Sequence, residues 1–474
     1  MTMNAPEKPD SRGGSGERKH PWRDNIEAIT MAIIMAVMLK YFVVEAYKIP
    51  TGSMQPTLMG NTETQIFDRI LVDKFSFHYR DPKRFEVVVF KYPLDVSKNF
   101  IKRIAGVGPE ELKVENGDLW RRADGSEPWS ILRRPRPVQE SVWKPLHPGE
   151  PGSKSWKVLA GAEGWQAASD TITARGSGSV RFPQSGLITD QYRDGYPLSI
   201  RDKIVRRVGS AAHMVGDLRV SGEVRALAGC ESFSVQLREG DRRYSFHLPG
   251  PAAAPDARPS IRFERSTALR GGPNGVVELP EAWRLPAGRS ITFAAQNLDD
   301  MLALELDGEV ALELEVPPAT DQSSFLFLHV EGEGADLADV QVARDIYYIS
   351  DNRKISRWKI PAGHYVMLGD NTQDSSDSRE WTWRSYDLPG TGVVRGNLRL
   401  NEENPHTVKG LPGGPEVWFR DEWGERHHWK AADARQLDDT EAPLVPRRLI
   451  TGRAVVVFWP LKWNLGLWRL RWIR

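Results

Sequence analysis

Cysteine is almost absent from this chain of 474 residues, which contains Cys230 and no other thiol. A single thiol excludes an intrachain disulfide and a structural metal site built from several thiolates. Excess charge is missing as well, because 64 basic and 63 acidic side chains leave a formal net charge of +1 at pH 7. Binding to the phosphates of a nucleic acid requires a basic surface, so no polynucleotide partner is expected.

Long hydrophobic runs are also absent, apart from one segment near the N-terminus. Residues 28–44 are apolar except for Thr30 and Lys40, and at about 1.5 Å per residue they nearly span a bilayer core of about 30 Å. A cleaved secretory signal is the alternative, but no small-x-small cleavage site follows the segment. Lys40 is compatible with a membrane anchor, because its alkyl chain can lie along the apolar region while its ammonium group reaches water. We predict a transmembrane anchor over residues 26–47, after a disordered cytoplasmic tail over 1–25.

The charges on either side of this segment predict its orientation. The basic residues before it are Lys8, Arg12, Arg18, Lys19 and Arg23, and Glu45 stands near its end. Because positive charge is retained in the cytoplasm, the N-terminus is predicted to be cytoplasmic and everything from about residue 48 to lie outside.

The remaining sequence indicates β-structure. Short apolar runs at 70–72, 87–90 and 454–458 are rich in β-branched residues, as in strands buried on both faces. In the middle of the chain, apolar and polar residues alternate on both sides of the turns Gly240-Asp241 and Asp307-Gly308, which predicts two hairpins. The predicted fold is mainly β, with an antiparallel β-sandwich inserted into a second β domain.

The predicted division of the chain follows from these patterns. After the tail and the anchor come the first segment of a catalytic core at 48–120, the inserted β-sandwich at 121–350, the second core segment at 351–388, a second insertion at 389–442, and a C-terminal core strand with its tail at 443–474.

Two separate residues could form a nucleophile and its base. Pro50, Gly52 and Pro56 fix the backbone around Ser53, and a rigid turn suits a nucleophile, although such a serine is more often a plain turn residue. Lys102 lies among apolar neighbours. Burial can lower the pKa of a lysine from about 10.4 to about 7–8, and the neutral amine can then accept a proton. A lysine that points to solvent stays protonated at neutral pH and cannot act as a base.

A third motif, at 369–379, gathers acids, hydroxyls and one arginine in a single loop. A calcium loop is disfavoured, because no glutamate follows at the spacing of an EF-hand.

In their order along the chain and in their amino-acid sequences, these motifs resemble those of the bacterial type I signal peptidase family. The shared motifs are Pro50-Thr51-Gly52-Ser53-Met54-x-Pro56-Thr57-Leu58, Asp68-Arg69-Ile70-Leu71-Val72-x-Lys74, Val87–Phe90 with Ile101-Lys102-Arg103, Gly369–Arg379, and Gly452-Arg453-Ala454 running into Phe458-Trp459-Pro460. The resemblance covers about 22–120, 358–388 and 443–474. Two turns depart from the family: Phe85-Glu86 replaces its usual Gly-Asp, and 106–110 replaces its usual Gly-Leu-Pro-Gly-Asp.

The resemblance implies roles for particular residues. Ser53 would be the nucleophile and Lys102, neutral at rest, its general base. The Ser53 amide and the Thr51 hydroxyl would form the oxyanion hole. Ser375 would orient the lysine.

Asp377 and Arg379 match structural residues of the family near the site, and they would support it without transferring protons.

The implied activity is the removal of signal peptides from exported preproteins after Ala-x-Ala-like sites, by a single-pass protein of the bacterial inner membrane. Its catalytic domain would face the outer side, and signal peptides and membrane lipid would be its partners. No metal or cofactor is expected, and the partner of the inserted sandwich stays open. Because the implied site residues lie outside the insert, cleavage of a short peptide is expected to survive its removal.

Two alternatives remain open. A soluble, self-cleaving repressor-type Ser/Lys protease is disfavoured by the anchor and by the loop at 369–379. A membrane-anchored binding protein that works through its sandwich would need neither Ser53 nor Lys102, yet both are present.

Overall fold

The computed structural model describes most of the chain, and its fold is mainly β, as expected. The described residues are 21–148, 155–168, 170–201, 203–204, 213–265, 275–318, 320, 323–350, 355–398, 404–441, 444–462 and 467–474. The α-helices are Pro21–Met38, Arg136–Val142 and Leu198–Arg201, a π-helical turn is Leu39–Val43, and short 3-10 turns are Ser76–His78, Tyr192–Gly195, Thr372–Asp374, Ala431–Asp433 and Arg447–Leu449.

The N-terminal helix is described over Pro21–Met38. Its residues 21–25 belong to the predicted disordered tail, whose residues 1–20 lie outside the described residues. The strand Val44–Lys48 replaces the end of the predicted anchor, because it pairs antiparallel with Arg69–Asp73. In the part of the chain that the structure describes, no helix combines the length and the apolar character needed to cross a membrane.

A sheet that we call the site sheet contains eight strands within the described residues. They are Val44–Lys48, Arg69–Asp73, Val87–Tyr92, Asp95–Val107, His364–Leu368, Val445–Pro446, Ile450–Trp459 and Arg471–Trp472. The three predicted apolar strands are neighbours in it, with Ile450–Trp459 between the other two. Both faces of Val87–Tyr92 are buried, which explains its continuous apolar sequence. In Arg69–Asp73 and Ile450–Trp459 one face is buried and the other is only partly buried.

A small sheet joins the site sheet to the insert. Its strands are Glu110–Glu115, Asp118–Arg122, Ser130–Ile131 and Arg357–Ile360. Asp118–Arg122 runs across the expected boundary between residues 120 and 121, and Ser130–Ile131 pairs with it.

The insert itself consists of two antiparallel sheets. The first insert sheet contains Lys144–His147, Gln166–Ala167, Ile172–Arg175, Leu218–Ala226, Ser290–Leu298, Met301–Leu306, Glu309–Glu315 and Gly334–Arg344. The second insert sheet contains Lys157–Val158, Gly178–Phe182, Cys230–Glu239, Arg242–Pro249, Ser260–Arg265, Gly275–Glu278 and Ser324–Gly332. Apolar side chains of both sheets form one shared core. Both predicted hairpins are present, with their turns where the sequence indicated.

The region after residue 380 forms smaller sheets. One contains Thr382–Leu388, Gly392–Asn397, Arg435–Gln436 and Thr440–Glu441, and another contains His406–Val408, Glu416–Arg420 and Arg426–Lys430. Two-stranded pairs are Gly60–Asn61 with Ile66–Phe67, and Leu461–Lys462 with Leu467–Trp468.

Candidate active site

Ser53 and Lys102 meet in the structure. Ser53 lies in the turn that follows the first strand, and Lys102 lies in the strand Asp95–Val107 of the site sheet. Lys102 Nζ is 2.7 Å from Ser53 Oγ, and both side chains are buried, with exposed fractions of 3% and 9%. Burial lowers the pKa of Lys102 to about 8, although the negative charge of Asp377 acts in the opposite direction.

The loop at 369–379 holds this pair from the other side. The amide of Asn371 donates to the Ser53 carbonyl oxygen at 3.1 Å, and its side-chain Nδ2 donates to the Gly52 carbonyl oxygen at 3.2 Å. A Cβ atom on Gly369 would overlap Ser375 Oγ and would lie 2.6 Å from the Ser53 carbonyl oxygen. Only glycine therefore fits where the loop passes the turn.

Ser375, Asp377 and Arg379 form one buried network beside Lys102. Ser375 Oγ donates to Asp377 Oδ2 at 2.7 Å, and the Arg379 guanidinium donates to both oxygens of the same carboxylate, at 2.8 and 2.7 Å. Burial alone would raise the pKa of Asp377, but Arg379 and the hydrogen bonds outweigh it and lower this pKa to about 2. Asp377 is therefore an anion next to Lys102, and the proton of the Ser375 hydroxyl is directed at Asp377.

A second buried ion pair lies behind the site, and the sequence analysis did not assign it. Arg103 Nε and Nη2 donate to the two oxygens of Asp370, at 2.9 and 2.8 Å. Thr57 Oγ1 donates to Asp370 Oδ2 at 2.5 Å. Arg103 follows Lys102, Asp370 follows Gly369, and Thr57 follows the Ser53 turn, so this network ties together the three segments that carry the site.

Thr51 and Ser53 open onto a cleft of about 610 Å³. Its other lining residues come from two segments of the expected core, 48–120 and 351–388, and from the insert: Pro50, Gly52, Gly60, Asn61, Thr62, Glu63, Asn99, Phe100, Ile101, Lys102, Tyr192, Gln373, Asp374, Ser375, Ser376 and Glu380. Thr51 is exposed to solvent there.

Tyr192 belongs to the insert, so the insert contributes directly to the cleft. Next to it, Tyr196 is fully buried, and a Cβ atom on Gly52 would lie 2.5 Å from its hydroxyl. Gln373 Nε2 donates to the Asp190 carbonyl oxygen at 2.6 Å. The implied site residues lie outside the insert, but the insert adds Tyr192 to the lining of the cleft. Nothing in the local sequence around Tyr192 indicated this contact, because the segment lies outside the family motifs.

This site is found in a region of the chain that matches a known family. Residues 22–127 and 329–396 match the family described as signal peptidase, peptidase S26. Over these matched residues the chain is similar to the signal peptidase family.

Individual relatives are similar over the same region. The chain is 39% identical over 108 residues to a protein of Synechocystis sp. named probable signal peptidase I-2, covering 22% of this chain and 46% of that protein. It is 31% identical over 126 residues to probable signal peptidase I-1 of the same organism, covering 24% of this chain and 61% of that protein. The chain thus spans about half the length of these curated relatives.

Solved structures are similar to part of the chain as well. A carbohydrate-binding module, CBM66, from Bacillus subtilis covers 41% of this chain and 99% of its own, at 9% identity and a TM-score of 0.26.

Phe85 stands where the signal peptidase family usually has glycine, and the backbone there keeps a conformation that suits glycine. Its φ angle is +67°, and its carbonyl oxygen accepts a hydrogen bond from Arg103 Nη1 at 2.7 Å. A left-handed conformation costs a residue with a side chain about 1–2 kcal/mol. The Phe85 ring is buried, which stabilises the fold by about 1.5–3 kcal/mol and offsets this strain.

In the second turn that departs from the family, at 106–110, the altered residue Glu110 is also hydrogen-bonded. Glu110, in place of the usual aspartate, accepts hydrogen bonds from the Val107 amide at 3.0 Å and from Arg84 Nη1 at 2.9 Å. The longer side chain thus still closes the turn at 106–110.

Two groups of side chains among the described residues are close enough to hold a metal ion. They are Asp421, Glu425 and His427, and Asp118, Asp217 and Asp299. Neither group contains a residue of the cleft.

Proposed function

We propose that this protein is a membrane-bound serine endopeptidase that removes N-terminal signal peptides from exported preproteins, after small-x-small sites. The observation that carries the proposal is the 2.7 Å contact between Lys102 Nζ and Ser53 Oγ in a buried site. Similarity to the signal peptidase family supports the substrate class, since the curated relatives are named signal peptidases.

The proposed reaction uses one lysine as both base and acid. Neutral Lys102 takes the proton of Ser53 as its Oγ attacks the scissile carbonyl carbon. The Ser53 amide and the Thr51 hydroxyl stabilise the oxyanion of the tetrahedral intermediate. Lys102 then gives its proton to the leaving amine, and water, deprotonated by the same lysine, hydrolyses the acyl-enzyme.

Asp377 stabilises the protonated lysine that forms during each half-reaction. Its carboxylate is held by Arg379 and by Ser375, so it keeps its position when the charge of Lys102 changes. We assign these three residues to positioning and electrostatic support.

Membrane attachment is proposed through the N-terminal helix Pro21–Met38. Its apolar side chains are exposed, among them Ile29, Ile33 and Met35 with exposed fractions of 60%, 58% and 63%. A soluble surface rarely presents so many apolar side chains together, so a lipid environment would cover them. In the proposed orientation the N-terminus is cytoplasmic and the cleft faces the outer side, where signal peptides emerge.

Incubation with a preprotein tests the proposed function. Protein solubilised in detergent is expected to cut an exported preprotein once, after a residue preceded by the small-x-small pattern. Mass spectrometry of both products locates the cut. Cleavage at unrelated positions, or cleavage of the protein's own chain alone, would contradict the proposal and favour the self-cleaving alternative.

The pH dependence of cleavage is expected to follow the titration of the Lys102 amine. Its pKa is lowered to about 8 by burial, and only the neutral amine accepts the proton of Ser53. The value of kcat/KM should therefore rise as pH increases through about 8, approaching tenfold per pH unit on the acid side. Steady-state assays with a peptide that lacks titratable side chains measure this profile. A rate that is constant between about pH 6 and 9 would exclude Lys102 as the base.

A further inference from the structure

The outer face of the second insert sheet carries a row of small and neutral polar side chains. Strand register places Ser179 opposite His329, His329 opposite Ser234, Ser234 opposite His247, and His247 opposite Ser260. All five line a cavity of about 640 Å³, and we call them the polar row. The intervening residues of these strands point into the shared core, so the polar row faces outward.

The polar row offers hydrogen bonds of both kinds. Ser234 Oγ and His247 Nδ1 are 3.1 Å apart. Burial lowers the pKa of His247 and of His329, so both imidazoles are neutral at neutral pH, each with one donor and one acceptor. In the part of the chain that the structure describes, His329 Nε2 is buried without a hydrogen-bond partner. A buried polar atom of this kind is stabilised when a ligand supplies the missing partner.

A second row supplies an amide and an aromatic ring. Gln236 lies opposite Phe327 on one side and Ser245 on the other. Phe325, Phe327 and His329 follow one another on the outer face of the same strand, with ring centroids 5.5 and 5.6 Å apart. Apolar ring surface therefore lies directly beside the hydrogen-bonding groups.

Charge in this cavity is balanced. The charged lining residues are Arg243, Arg262, Glu264 and Glu331. Glu264 lies 3.3 Å from Arg243 and 3.9 Å from Arg262. A polyanion requires a basic surface, which this cavity lacks. A peptide strand requires a free sheet edge, and this is the face of a sheet whose backbone groups are already paired.

We propose that this cavity, the groove of the second insert sheet, binds a neutral oligosaccharide. Sugar hydroxyls both donate and accept hydrogen bonds, as do the serines, the amide of Gln236 and the neutral imidazoles. Phe327 lies outside the cavity but opposite its lining residue Gln236, where its ring offers an apolar surface to the C–H face of a sugar that extends beyond the cavity. The polar row itself contains no charged side chain, and the arginines and glutamates of the cavity stand beside it. The inference concerns a second site and does not depend on peptidase activity.

Calorimetric titration of the full-length protein tests the groove. The protein is held in a detergent without a sugar headgroup and titrated with cellohexaose, maltohexaose and chitohexaose. At least one is expected to bind, and Gln236→Ala is expected to weaken it by about tenfold, equal to about 1.4 kcal/mol. Ser234→Trp, which fills the floor of the groove, should remove binding.

Gln341→Ala is the matched control, because Gln341 is exposed on the first insert sheet, away from the groove. It should bind the sugar as the unchanged protein does, and circular dichroism should show that all variants are folded. If none of the three sugars gave a heat of binding, this result would overturn the proposal. So would binding that Gln236→Ala and Ser234→Trp leave unchanged, or binding to heparin alone.

Discussion

Ser53→Ala and Lys102→Met are each expected to reduce preprotein cleavage by about 10⁴- to 10⁶-fold, and the double variant is expected to be no slower than either. The two groups act as one unit, because the serine hydroxyl is a poor nucleophile until Lys102 takes its proton. Methionine preserves the length and the apolar stem of the lysine, so the buried site stays filled. Single-turnover cleavage followed by mass spectrometry measures the loss.

Lys144→Met is the matched control for this experiment. Lys144 is also buried, and burial lowers its pKa to about 7, but it lies in a strand of the insert and does not line the cleft. Its replacement should leave cleavage near the native rate. If Ser53→Ala still cut preproteins at that rate, the proposed nucleophile would be wrong.

Strands of the site sheet and hairpins of the insert could be predicted because their sequences carry a strong local signal. In the site sheet, runs such as Val87–Phe90 are apolar and β-branched. In the insert, apolar and polar residues alternate on both sides of the turns Gly240-Asp241 and Asp307-Gly308. The end of the N-terminal helix could not be predicted in this way. Val43 and Val44 suit an apolar helix and a strand equally well, and only the pairing of Val44–Lys48 with Arg69–Asp73 decides between them.

The site was predictable to the extent that its residues occupy recognisable motifs. The motifs predict Ser53 and Lys102 together, and the structure places them in contact. The ion pair of Arg103 with Asp370 could not be predicted, because the two residues are 267 positions apart and the sequence around each gives no sign of a buried charged partner. Tyr192 was missed for a different reason. It reaches the cleft through packing between two separate regions, which no local pattern encodes.

The contact between the insert and the Ser53 turn changes what removal of the insert should do. Apolar side chains from both regions form one buried cluster, which contains Met59, Ile66, Tyr192, Tyr196, Ile200 and Ile204. Removing residues 125–348 would expose Met59 and Ile66 and would leave Gly52 without the Tyr196 side chain that it now contacts. Replacement of 125–348 with a short Gly/Ser linker is therefore expected to abolish cleavage of a short signal-peptide substrate.

Point variants in the full chain separate this contact from a general loss of the insert. Tyr196→Ala empties the space beside Gly52, at a cost of the order of 3–5 kcal/mol for a large buried side chain, and should lower kcat strongly. Tyr196→Phe keeps the buried ring and removes only the hydroxyl, which lies beside Gly52 and 2.9 Å from the Tyr192 hydroxyl, so it should lower kcat less than Tyr196→Ala does. Both keep the shared core of the insert sheets, since Tyr196 does not belong to it. A deletion protein that is folded by circular dichroism and protease resistance, yet cleaves the peptide at the native rate, would show that the Ser53 turn keeps its geometry without the insert.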